Sequence, residues 1–165
     1  MVNFTQNLEK AMQEFSSHGG FLTVKGDKGV NTMTVSWGFI GFMWEKPQFI
    51  TVVRPQRYTK DILDSNADCF SISIPFGNKL KEELIICGTQ SGRDIDKSKV
   101  VNFIPPQTIS SPVVADCDLY YECRINTTQI IDVKLLPPNI AKTFYDNDFH
   151  HYYIGEIVDC YGAKN

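Results

Sequence analysis

The run N-T-M-T-V-S-W-G-F-I-G, residues 31–41, decides how the rest of the chain is read. It has the composition of a strand, and alternation puts Asn31, Met33, Val35 and Trp37 on one face and Thr32, Thr34 and Ser36 on the other. A half-buried strand would turn those hydroxyls to water. A strand laid along a ligand would use them as hydrogen-bond partners beside an apolar surface. The neighbouring segments weigh between the two.

Toward the N-terminus lie a strand over 21–25 and a G-D-K-G turn at 26–29. Before them, Leu8, Ala11, Met12 and Phe15 recur at helical spacing, which predicts a helix over the first 16 residues with Thr5 as N-cap and His18-Gly19-Gly20 as its stop. The run itself predicts one strand over 31–39. Toward the C-terminus, strands are expected at 48–53, 69–74, 113–125, 128–136 and 150–161, with short helices at 59–66 and, capped by Asn78, at 78–86. The stretch 87–112 is polar and reads as loop. Many strands without the long alternating helices of βαβ units imply a mainly β fold, a closed or nearly closed antiparallel barrel with a few short helices.

With 165 residues, 42 % of them hydrophobic, the chain suits a single domain spanning 1–165. Its 16 basic residues against 19 acidic ones, net charge -3, supply no global field for nucleic acid or an anionic membrane, so any anion must be held locally. No apolar run approaches the roughly 18 to 20 residues of a membrane span, and the expected location is cytoplasmic. The five cysteines are odd in number and lack C-x-x-C spacing, which favours buried thiols over disulfides or a zinc site.

Two segments supply local charge. V-V-R-P-Q-R-Y-T-K-D-I-L, residues 52–63, delivers Arg54, Arg57 and Lys60 where a strand gives way to a helix, with Thr59 in its first turn; cations, a hydroxyl and free backbone N–H groups are what a phosphate monoester requires. C-G-T-Q-S-G-R-D-I-D-K, residues 87–97, adds a second glycine- and hydroxyl-rich stretch bearing Arg93 and Lys97. Together with the opening run they point to a phosphorylated ligand.

The ordered set N-T-M-T-V-S-W (31–37), K-P (46–47), V-R-P-x-R-Y-T (53–59), S-I-P (73–75), C-G-x-x-S-G-R-D-x-D-K (87–97), E-C-R (122–124) and Y-I-G-E-I (153–157) resembles the flavoredoxin branch of the flavin reductase-like proteins. The resemblance implies an FMN-binding split β-barrel and a homodimer with one non-covalent FMN per subunit. By motif, Asn31, Thr32, Met33, Thr34, Ser36 and Trp37 would line the isoalloxazine and ribityl chain. Arg54, Arg57 and Thr59 would hold the phosphate, and Ser91, Gly92, Arg93 and Lys97 would close over the cofactor. His150 fits a histidine that the family places before Y-I-G-E, with His151 as the competing choice; Lys97, Arg93 or a protonated His150 would stabilise the reduced ring.

The activity implied is an NAD(P)H-dependent flavin reductase, with NADH or NADPH as donor and no side-chain acid or base required. A flavoredoxin-like electron-transfer protein with protein partners is the main alternative. A barrel that binds another phosphorylated planar ligand, such as pyridoxal phosphate, is the third.

Overall fold

Ser36 and Trp37 cut the 31–41 run in two: β2 (Gly29–Val35) ends before them and β3 (Gly38–Met43) begins after, in a computed structural model that describes residues 2–163. The expected single strand over 31–39 is therefore two. A Cβ on Gly38 would lie 2.7 Å from the carbonyl oxygen of Ile50, so this residue type lets the second piece start hard against its neighbour.

The consequence is architectural. β1 (Gly20–Gly26), β4 (Lys46–Val53), β5 (Cys69–Ile74), β8 (Leu119–Ile130) and β9 (His151–Gly162) join β2 and β3 in one seven-stranded antiparallel sheet, ordered β2-β1-β5-β8-β9-β4-β3. Its two edge strands are consecutive in sequence and only two residues apart. The sheet must therefore curl until its edges nearly meet, which makes a barrel split between β2 and β3.

The barrel interior is filled from alternate positions: Leu22 and Val24 of β1, Met33 and Val35 of β2, Phe70, Ile72 and Ile74 of β5, and Tyr121 and Cys123 of β8. Phe49 of β4 sits at the centre, its ring 5.8 Å from Phe15, 5.5 Å from Tyr121 and 6.5 Å from Phe70 in edge-on arrangements. The opposite face of β5 is covered too. Ser71 donates to the Pro112 carbonyl at 2.6 Å and Ser73 accepts from the Val114 amide at 3.1 Å, under a second cluster built on Phe21, Leu84, Val101 and Val113.

The helices fall close to their expected places with shifted ends. α1 (Leu8–Ser17) starts after Asn7, which is left-handed at φ 52°, so Thr5 does not cap it. α2 (Tyr58–Leu63) is shorter than expected, and α3 (Lys81–Thr89) follows a left-handed Leu80 rather than an Asn78 cap. The stretch read as loop contains the end of α3, a 3₁₀ turn at Lys97–Lys99 and β6 (Phe103–Ile104), which pairs with β7 (Val113–Val114).

The strand expected at 128–136 is not separate. β8 runs unbroken through Ile130; Asp132 then accepts from the Lys134 amide at 2.9 Å, starting a 3₁₀ turn at Val133–Leu135 that leads into α4 (Pro138–Phe144). All five cysteines are free and buried.

Candidate functional site

The free edge of β2 faces α2, α3 and the 87–97 segment, and a groove runs along it. One end is a cavity of about 160 Å³ whose lining includes Asn31, Thr32, Arg57, Thr59, Ser91, Gly92 and Lys97. The other, about 290 Å³, is lined by residues 33–37 together with Val52, Arg54, Arg57 and His150. Met33 and Arg57 border both. As an edge strand, β2 also leaves alternate backbone amides and carbonyls without a strand partner on this side.

Buried polar contacts fix the narrower end. Asn31 donates its side-chain amide to the Thr59 hydroxyl at 2.9 Å, which ties β2 to the start of α2. Gly92 closes over this pair: a Cβ there would overlap Asn31 Oδ1 and lie 2.8 Å from a Tyr58 ring carbon. Gln56, Tyr58, Thr89 and Gln90 also line this end. Gln56 and Tyr58 stand inside the R-P-Q-R-Y-T run, and the adjacent arginines drew the attention.

Two cations converge on the C-terminus of α3. Arg57 donates to the carbonyls of Gly88 at 2.8 Å and Cys87 at 3.1 Å, and Lys97 donates to those of Gln90 at 2.5 Å and Ile86 at 3.4 Å. These carbonyls lie at the C-terminal end of α3, the negative end of its dipole. Burial pushes both cations below their usual pKa ranges, with Cys87 opposing this for each and Arg57 adding to it for Lys97. Their partners are neutral carbonyls, so their formal charge stays available to the groove.

Arg54 and Arg93 differ. Arg54 lines the wider end but pairs with Asp148 and donates to the Phe144 carbonyl at 2.8 Å. Asp148 also accepts from the Asp146 amide, the leading cause of its depressed pKa, and from Gln56 at 3.0 Å. Arg93 is outside the groove lining: it bonds Asp61 at 2.6 Å and the Gln56 carbonyl at 3.0 Å, over the Tyr58 ring.

The hydroxyls that singled out β2 have protein partners. Thr32 accepts from the Thr23 hydroxyl at 2.9 Å and donates to the Leu22 carbonyl, and Thr34 donates to the Leu84 carbonyl at 2.5 Å. The alternation was legible; its use is to fasten β2 to β1 and α3. Ser36 and Trp37 line the wider end, where Trp37 stands 5.1 Å from the His150 ring and edge-on to Phe144 at 5.5 Å.

His150, not His151, borders the groove. Burial, with Arg54 acting in the same direction, brings its pKa down to about 4. That direction favours an uncharged ring near neutral pH in the unliganded protein. No carboxylate lines either end of the groove, although the chain carries 19 acidic residues.

Comparison with known proteins agrees with this geometry. No curated protein matches the sequence. Among solved structures, flavoredoxin from Methanosarcina acetivorans superposes with a TM-score of 0.68 at 23% identity, over 88% of this chain and 68% of that one. An FMN-binding protein from Thermus thermophilus, solved with bound 1-cyclohex-2-enone, gives 0.66 at 23% identity over 87% and 68%. The 2-nitrobenzoate 2-nitroreductase of Pseudomonas fluorescens gives 0.62 at 21% over 94% and 71%. At such identities these similarities establish the fold, a split β-barrel. The sequence model for the flavin reductase like domain matches residues 12–165, and the chain belongs to that family.

Proposed function

We propose that this protein is an FMN-dependent oxidoreductase that takes hydride from NADH or NADPH. The observation that carries the reading is the groove itself: Arg57, Lys97 and Arg54 border a cleft free of carboxylates in a chain of net charge -3. Such a cleft suits an anionic ligand with a planar end. The similarity to an FMN-binding protein and to flavoredoxins supports FMN as that ligand.

The residues present fit the group. The narrower end, with Arg57, Lys97, the Thr59 hydroxyl and the close-packed Gly92, suits a phosphate and the ribityl arm. The wider end, with Met33, Val52, Trp37 and the neutral His150, suits the ring system, and the outer backbone groups of β2 can read a heterocycle's edge. Bound FMN would supply the redox chemistry, accepting hydride from nicotinamide C4 at its N5. The chain's own work is to orient, through Met33 and Trp37, and to hold charge, through Arg57 and Lys97.

A homodimer belongs to the same proposal. Phe42 and Trp44 are 60% and 58% exposed at the end of β3 and its turn, an apolar strip on a free sheet edge that a second copy would cover. Cytoplasmic location is likewise proposed; among the described residues no helix is long and apolar enough to cross a membrane.

Equilibrium titration with FMN and riboflavin tests the ligand assignment. FMN should bind at least tenfold more tightly, because only it carries the phosphate; equal affinity would remove the phosphate site from the account.

A further inference from the structure

The segment that joins α4 to β9 crosses the wider end of the groove, and it carries a contact with no part in the reading above. Tyr145 places its hydroxyl 3.1 Å from His150 Nδ1. The ring it holds is 7% exposed and forms a wall shared by the groove and an adjoining pocket of about 180 Å³ lined by Trp37, Phe39, Val52, Ile131 and Tyr152. His150 is thus clamped between Tyr145 and Trp37, with one ring nitrogen engaged.

We propose that Tyr145 is a positioning residue that holds His150 in the tautomer with its proton on Nε2, so that the groove wall offers an uncharged N–H donor.

Hydrogen-bond chemistry selects the tautomer. A neutral imidazole has one donor and one acceptor nitrogen, and the partner of Nδ1 decides which is which. A phenol O–H is a strong donor and its oxygen a weak acceptor, so the favoured arrangement is Tyr145 O–H donating to the Nδ1 lone pair. That leaves the proton on Nε2. The neutral state has its own causes: the ring is buried, Arg54 faces it from the end of β4, and Asp148 opposes Arg54 only in part. Tyr145 itself is held protonated, since burial raises its pKa, while Arg54 stacks over its ring at 5.3 Å.

A neutral N–H donor has a definite chemical use. It bonds a carbonyl or nitro oxygen, or a heteroatom on a flavin edge, without adding positive charge. The inference rests on the flavin reading only for what the donor faces; the tautomer belongs to the protein alone.

The test is made on the ligand-free full-length chain with ¹⁵N-labelled histidine. At pH 7, His150 should show a pyridine-like Nδ1 and a pyrrole-like, protonated Nε2. In Tyr145→Phe, which keeps the ring and removes the hydroxyl, the tautomers should mix and the protonation midpoint should move upward, because the bond that favours the neutral ring is gone. A protonated Nδ1 in the wild-type protein overturns the proposal outright, whether or not the variant folds. An unchanged tautomer and midpoint in Tyr145→Phe would also overturn it. Neither readout requires FMN to bind, so a failure here is distinct from a failure of the flavin assignment.

Discussion

Asn31 Nδ2 lies 2.9 Å from Thr59 Oγ1, both residues buried, and this bond joins the barrel's free edge to the first turn of α2. It sets the geometry of the narrower end of the groove. Because Gly92 closes over it without room for a Cβ, Gly92→Ala must displace either the 91–92 backbone or the Asn31 amide. The expected result is a loss of about 1–3 kcal/mol in stability, as for a strained or orphaned buried polar group, and an FMN affinity weakened at least tenfold. Urea denaturation and FMN titration would report the two effects.

Arg57 and Lys97 have a double assignment, as caps on α3 and as charge for the groove. Arg57→Met keeps much of the length and leaves the Cys87 and Gly88 carbonyls without their donor, at a cost of about 1–3 kcal/mol. FMN affinity should fall by more than that of riboflavin. If both flavins lose affinity equally, Arg57 acts on the groove through α3 alone.

Glu122 predicts a pH dependence. The carboxylate is buried, which raises its pKa, but the Tyr161 hydroxyl at 2.6 Å, the amides of Gln107 and Thr108 and the Thr108 hydroxyl outweigh burial and set it below 4.5. A folded-state pKa below the unfolded one stabilises fully above the unfolded value and is lost as pH falls through the folded value. Thermal melts of wild type and Glu122→Gln should therefore differ most from neutral pH down to about pH 5 and converge in stronger acid. Curves that stay parallel into that stronger acid would show that the carboxylate's charge is not what pins the 107–109 segment.

The sheet was legible where alternation and punctuation coincide. C-F-S-I-S-I is bounded by Pro75 and was read at its true limits, 69–74. The 31–39 strand was misread because nothing local announces that Ser36 and Trp37 turn a corner; the close approach of Gly38 to Ile50 is a long-range fact. The separate strand at 128–136 failed for a related reason. The register shift between Ile125 and Thr127 lets β8 continue to Ile130 along β9, and only then does Asp132 start a turn.

At the site, the structure brings residues of the 54–59 and 87–97 segments to one groove, with Arg93 outside its lining. Partner choice was not legible. No sequence pattern states that Thr34 will find the Leu84 carbonyl, or that Arg54 will find Asp148, 94 positions away.

Trp37 offers a local probe of the wider end. It is 44% exposed yet borders the groove with His150. Trp37→Ala should shift the absorbance or fluorescence of bound FMN while leaving stability within about 1 kcal/mol; an unaltered flavin spectrum would place the ring system elsewhere.

The apolar strip on β3 gives the assembly prediction. Phe42→Glu with Trp44→Glu should convert a dimer to a monomer in sedimentation equilibrium. A wild-type protein that is already monomeric at the same concentration would refute the dimer.

An anaerobic absorbance measurement reads flavin binding and nicotinamide dependence together. The protein is loaded with FMN, desalted, and given NADH or NADPH in turn. Retained flavin bands that bleach with one nicotinamide are the result expected of an FMN oxidoreductase, and they would name its donor. Bands that stay through both additions would contradict the nicotinamide-dependent activity and favour electron transfer with a protein partner; a colourless protein after desalting would contradict tight binding of FMN itself.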